Sequence, residues 1–193
     1  MAEGKDDPDV VWMEPKQRGV IPLNRFHISK SLSKAIARNN YEVRINYDFE
    51  GVVDACAARD ETWINNTIRQ GYMRLHEVGH AHSVEVWRDN NLIGGVYGVS
   101  LGAAFFGESM FSRETNGSKI ALAYLVAHLR RCGFKLCDTQ FLTGHLASLG
   151  AVEIERDEYL QRLHLAIQAP ESFLRYSEPP SSAETLQRSN QTS

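Results

Sequence analysis

The strongest constraint on the fold is a strand–turn–strand at the centre of the chain. His82–Trp87 and Leu92–Val99 are runs of strand length, rich in β-branched and aromatic residues, and Asp89-Asn90-Asn91 between them is turn chemistry. They form an antiparallel hairpin, and Ala103–Glu108 extends it to a meander. Helices flank this centre. Ser29 or Ser31 caps a short helix running through Ala37, Asp48 caps a second with Val52, Val53 and Cys56 inward, and Asn65 or Asn66 caps a third that carries Ile68, Tyr72 and Leu75 and stops at Gly79. A longer helix runs from about Asn116–Ser118 to Cys132 and closes at Gly133. Tyr41–Asn46, Phe134–Gln140 and Val152–Glu155 read as strands, Thr143–Leu149 as a short helix and Asp157–Ile167 as a final amphipathic helix. Strands between helices around an antiparallel meander predict an α+β domain with a mixed sheet.

At 193 residues the chain suits one domain, expected over 16–168. Residues 1–15, acidic and proline-punctuated, read as an extended lead-in. Residues 169–193, polar and proline-bearing from Ser177 onward, read as a disordered tail. No apolar run is long enough to span a bilayer, so no membrane role is expected. Three cysteines with no C-x-x-C suit reduced thiols in the cytoplasm rather than a disulfide framework or a zinc ribbon. Charge is unevenly spread: residues 16–44 carry net +6 in a chain of net −3. Lys30, Lys34 and Arg38 recur at four-residue spacing, a stripe along the first helix suited to an anionic partner such as a nucleic-acid backbone, or simply to water.

Two motif matches lack their structural context. His76-Glu77-Val78-Gly79-His80 fits H-E-x-x-H, yet Gly79 and the strand that follows place His80 beyond the helix end, so no metal is expected. Gly107-Glu108-Ser109-Met110-Phe111 has phenylalanine where a nucleophile elbow needs glycine. The stretch Arg113–Lys119, with one glycine and an acidic residue, argues against coenzyme A and leaves no organic cofactor expected. Asp138-Thr139-Gln140 ends an otherwise apolar strand. Alternation puts Asp138 and Gln140 on one face, where a carboxylate can hold an amide so that its oxygen accepts from an amine; a plain polar strand end is the alternative. Glu108 shares a site with Phe105 only if a bulge at Gly107 interrupts the alternation. Gly94, Gly95 and Gly98 leave the neighbouring strand bare, for a ligand or for tight backbone packing.

Taken together, an ordered set of segments resembles the leucyl/phenylalanyl-tRNA–protein transferase family. These include Arg18-Gly19-Val20-Ile21-Pro22-Leu23, Phe26-His27-Ile28-Ser29-Lys30, Thr62-Trp63-Ile64, Leu75–Trp87, Gly94-Gly95-Val96-Tyr97-Gly98, Phe106–Arg113, Asp138-Thr139-Gln140 and Ser148-Leu149-Gly150-Ala151, within a match from about Trp12 to Leu163. The resemblance implies a GNAT-like acyltransferase domain. It implies transfer of leucine or phenylalanine, with methionine open, from aminoacyl-tRNA to the N-terminal amine of proteins beginning with lysine or arginine, marking them for degradation. It further implies Asp138 and Gln140 as a catalytic pair, with Gln140 orienting the attacking amine and Asp138 polarising Gln140. Glu108 would meet the acceptor's cationic N-terminus. Val96, Phe105, Leu125, Leu129 and Cys137 would form the aminoacyl pocket, and Lys30, Lys34 and Arg38 would contact tRNA. Longer members carry an additional N-terminal segment that helps hold the terminal adenosine. A chain lacking it is expected to be either an internal start or a catalytically weak module that binds tRNA or protein N-termini.

Overall fold

A computed structural model describes residues 15–59 and 62–187. Of the lead-in assigned to 1–15, only Pro15 falls among them. The helix starts follow the capping chemistry. Ser29 caps α1 (Lys30–Arg38) by accepting the Leu32 N–H, Asp48 caps α2 (Phe49–Ala57) through the Gly51 N–H, and Asn65 caps α3 (Asn66–Glu77) through the Ile68 N–H. Gly79, at φ +79°, turns the chain out of α3 into β3 (Ala81–Arg88). Asp89 and Asn90, at φ +49° and +60°, make the two-residue turn into β4 (Asn91–Leu101), which continues to β5 (Ala104–Ser112). Then come α4 (Gly117–Cys132), β6 (Leu136–Gln140), α5 (Gly144–Ala147), β7 (Val152–Glu155) and α6 (Arg156–Ile167). Two earlier strands, β1 (Gln17–Val20) and β2 (Glu42–Ile45), complete a sheet of order β2-β3-β4-β5-β6-β1-β7. The β5–β6 pair is parallel and the others are antiparallel, which gives the expected mixed sheet.

Side-chain alternation sorts the sheet into two faces. Val96, Phe105 and Cys137 point into the larger core under α1 and α4, together with Leu125 and Leu129 of α4. On the other face Tyr97 and Phe111 meet α2 and α3, while Ala104 and Leu136 meet α6. The bare strand has a structural explanation at two positions. A Cβ on Gly94 would stand 2.4 Å from the Gly117 backbone, and one on Gly98 would stand 2.2 Å from the Phe106 carbonyl and 2.6 Å from the Phe105 ring. Both glycines serve close packing.

The C-terminal stretch corrects the tail assigned to 169–193 as far as Gln187; residues 188–193 lie outside the description. A 3₁₀ turn, Phe173–Arg175, sinks the Phe173 ring to 1% exposure among His82, Phe105, His128 and Phe134. A last helix, α7 (Ser182–Gln187), then lies on α1 and α4 with Leu186 against the core. Polar composition concealed this because one aromatic ring anchors the segment.

Candidate functional site

The site arises where the parallel pair parts. Strands β5 and β6 are in register at Ala104–Leu136, Phe105–Cys137 and Phe106–Asp138, and beyond that point β5 stays with β4 while β6 turns away. Two local irregularities open this fork. In β5 the pairing passes from Gly98–Gly107 to Tyr97–Ser109, so Glu108 is the unpaired residue of a β-bulge. In β6, Gln140 adopts φ +65°, a left-handed conformation uncommon for a residue with a side chain. A cleft of about 770 Å³ fills the fork, within the size range of small-molecule sites. Its walls come from Glu108–Arg113, Thr139–Phe141, the end of α2 and Trp63. An inner pocket of about 80 Å³ adjoins it, sharing Glu108 and Thr139 and lined by Val96, Leu122, Leu125 and Cys137.

Polar groups cross the fork in a defined order. The Gln140 Nε2 donates to Glu108 Oε2 at 2.8 Å, which leaves the amide oxygen to accept. Glu108 is half-buried. Burial pushes its carboxyl above the usual range, opposed by hydrogen bonds from Tyr72 and Gln140, while the nearby Asp138 charge raises it further. Asp138 is fully buried and its carboxylate accepts from the Gln140 backbone N–H at 2.6 Å, from the Tyr159 hydroxyl at 2.6 Å, and from Arg18 Nε and Nη2 at 2.9–3.1 Å. The link between Asp138 and Gln140 therefore runs through the backbone, whereas strict alternation suggested contact between the two side chains. The left-handed turn at Gln140 is the reason: it sends the amide to Glu108 and leaves Asp138 facing α6.

The remaining sequence candidates divide. Val96, Leu125 and Cys137 line the inner pocket, but Phe105 and Leu129 do not. Phe105 is stacked on Phe173 and Leu129 is sealed in the α4 core, at 1% and 0% exposure. Lys30, Lys34 and Arg38 stand exposed on α1, opposite the buried Leu32 and Ile36, with no ion pair among the described residues. His76 ends up structural: its Nδ1 bonds the Ala81 carbonyl and its ring stacks on Phe49 at 4.2 Å, while His80 lies past the helix end. Among the described residues no three His, Cys, Asp or Glu side chains converge as metal ligands. Burial pushes the Cys137 thiol up to about 12 and the Cys56 thiol up to about 11, so neither is a nucleophile at neutral pH.

Reasoning from sequence did not single out Arg18, Tyr72, Tyr159 or Thr139 as site residues. Arg18 and Asp138 are 120 positions apart, and only the placement of β1 beside β6 (Gly19 opposite Gln140, Val20 opposite Asp138) brings them together. Thr139, the apolar-facing member of Asp138-Thr139-Gln140, has a buried hydroxyl without a partner at the wall of both cavities.

The family model described as leucyl/phenylalanyl-tRNA protein transferase matches residues 20–164. A protein of Ruegeria pomeroyi named leucyl/phenylalanyl-tRNA–protein transferase is 59% identical over 193 residues, covering all of this chain and 91% of its own length. One of the same name from Roseobacter denitrificans is 56% identical over 195 residues, with the same two coverages. Among solved structures, L-PGS from Bacillus licheniformis aligns with 69% of this chain and 50% of its own, at 14% identity and a TM-score of 0.44.

Proposed function

This chain belongs to the leucyl/phenylalanyl-tRNA–protein transferase family, and we propose that the fork between β5 and β6 is where its reaction takes place. The enzyme is an aminoacyltransferase with aminoacyl-tRNA as donor and a protein N-terminus as acceptor. The supporting observation is the Gln140–Glu108 bridge beside a small apolar pocket.

In this reading the leucyl or phenylalanyl side chain of the donor enters the pocket of Val96, Leu125 and Cys137, and its ester carbonyl lies in the wider cleft. The acceptor amine approaches Gln140, whose amide oxygen accepts one of its hydrogens because the amide nitrogen is engaged by Glu108. The amine nitrogen bonds to the ester carbon, the carbon–oxygen bond to the ribose breaks, and the amine proton leaves on the released ribose hydroxyl. An α-amine of pKa about 7.7–8.0 is already about 10–20% neutral at pH 7, so the protein chiefly positions two reactants suited to each other. Glu108 gives the site a carboxylate for the cationic N-terminal lysine or arginine of proteins destined for degradation. The exposed stripe of Lys30, Lys34 and Arg38 provides for the tRNA backbone. A parallel strand pair that separates at a bulge to admit an acyl donor supports assigning the fold to the GNAT-like class. No described helix is long and apolar enough to cross a membrane, and a tRNA donor supports a cytoplasmic setting for the reaction.

The test is transfer of labelled leucine from charged tRNA to a peptide beginning with arginine. Wild-type protein transfers, and Gln140→Ala lowers kcat by about 100-fold or more while leaving tRNA affinity within about twofold. Equal loss of transfer and of binding would make Gln140 structural, and no transfer by the wild-type chain would refute the function.

A further inference from the structure

The reading of Gln140 raises the question of what holds its unusual backbone. We infer that Arg18 and Tyr159 are positioning residues for the transfer reaction: through Asp138 they fix the left-handed turn that presents the Gln140 amide to the cleft. The inference rests on the function proposed above and extends it to residues from β1 and α6, outside the cleft.

Asp138 is cut off from solvent. A carboxylate at 0% exposure persists only if every lone pair finds a donor and its charge finds a cation. Arg18 supplies the cation by a planar fork, Nε to both oxygens at 3.1 and 3.0 Å and Nη2 to Oδ2 at 2.9 Å. The Tyr159 hydroxyl closes Oδ2 at 2.6 Å, and its ring lies beneath the guanidinium at 5.4 Å from the centroid. With Oδ2 held in this way, Oδ1 faces the Gln140 N–H at 2.6 Å. This hydrogen bond from a side chain to the backbone two residues on is the asx-type contact that stabilises a turn. Gln140, a non-glycine residue at φ +65°, is held there by this contact together with the Phe141 N–H donating to the Thr139 carbonyl at 2.7 Å, and loss of the Asp138 contact favours relaxation toward extended backbone. Relaxation would rotate the amide away from Glu108 Oε2 and out of the cleft. Neither Arg18 nor Tyr159 lines the cleft or the pocket, so their hold on the Gln140 amide passes through Asp138, while the Arg18 charge also reaches Glu108 across the fork.

The experiment uses the full chain in the transfer assay, with Arg18→Ala, Arg18→Lys and Tyr159→Phe beside Gln140→Ala. Arg18→Ala is expected to lose about 100-fold in kcat, with KM for donor and acceptor within about twofold, as a displaced reactive group does. Because the Arg18 side chain is 22% exposed, methylguanidinium in the buffer reaches the vacated position and restores part of kcat in a saturable way. Methylammonium, a point charge without the fork, does not, and Arg18→Lys falls between wild type and alanine. Tyr159→Phe lowers kcat by about fivefold to tenfold at unchanged KM, the loss of one hydrogen bond to a charged group. Wild-type kcat in Arg18→Ala, a loss confined to KM, or no response to methylguanidinium overturns the inference. Should Arg18→Ala fail to fold, Tyr159→Phe decides: reduced kcat at unchanged melting temperature upholds the inference, and wild-type kcat overturns it. A normal rate in Gln140→Ala would instead refute the catalytic reading of Gln140, and this inference with it.

Discussion

Lowering the pH should strip this fold of a definite amount of stability at one residue, His82. Its ring is 2% exposed and lies on Phe173 at 4.3 Å with 6° between planes. The Asn46 side-chain oxygen accepts the Ser83 N–H at 2.8 Å, so the Asn46 amino group donates to His82 Nδ1 at 3.0 Å, and His82 Nε2–H donates to Ser100 Oγ at 3.2 Å. Both ring nitrogens are thus committed to the neutral form, and a proton on Nδ1 would face the Asn46 amino group. Burial, reinforced by repulsion from His76, His128 and His80, lowers the His82 pKa to about 4 from an ordinary 6.5. The unfolded chain takes up a proton near pH 6.5 and the folded chain does not, so stability is intact above that value and falls between 6.5 and about 4. At about 1.4 kcal/mol per pKa unit the loss is about 3 kcal/mol by about pH 4. Urea unfolding of wild type and His82→Gln over about pH 8 to 4 measures it. The variant lacks this titration, so the gap between the two curves should close by about 3 kcal/mol as pH falls, with contributions from His128 and the carboxylates cancelling. Parallel curves would refute the reasoning.

Further outcomes follow from other parts of the molecule. Because the Glu108 pKa is raised by burial, wild-type stability declines as pH rises from the ordinary 4.5 toward that raised value; Glu108→Gln should therefore melt higher than wild type at neutral pH and not at acidic pH, and transfer poorly to lysine- or arginine-initiated peptides. Val96→Ala enlarges the inner pocket and should shift competition between phenylalanyl and leucyl donors toward phenylalanine by about tenfold, the scale of a methylene or two in an apolar site; an unchanged ratio would place the donor side chain elsewhere. Replacing Lys30, Lys34 and Arg38 together by alanine should raise KM for charged tRNA and flatten its salt dependence, while transfer from an aminoacyl-adenosine stays unchanged. Phe173→Ala should cost about 3–5 kcal/mol and expose the C-terminal segment to proteolysis.

The sequence was most legible where local chemistry decides structure. The caps Ser29, Asp48 and Asn65, the Asp89-Asn90 turn and the terminators Gly79 and Gly133 placed most element boundaries within a residue or two. A bulge does follow Gly107, with Glu108 as its extra residue, but Phe105 stays in the core instead of sharing the site with Glu108. Legibility ended where long-range pairing decides. Strand β1 has only four residues, and its place between β6 and β7 leaves no local trace. Strand alternation mispredicts the relation of Asp138 to Gln140 because a single left-handed residue cancels it. Phe105 and Leu129 carry the right polarity for a pocket but are consumed by core packing, a distinction that depends on neighbours far away in the chain.

The position of β1 also sets when the site can exist during synthesis. Gln17–Val20 is made more than a hundred residues before its partners β6 and β7. Until then Arg18 is a cation without its carboxylate, and a nascent chain interrupted anywhere before β6 has a hairpin and helices but no fork. The fork, and with it the proposed transfer site, therefore requires β1 and β6 to be present together.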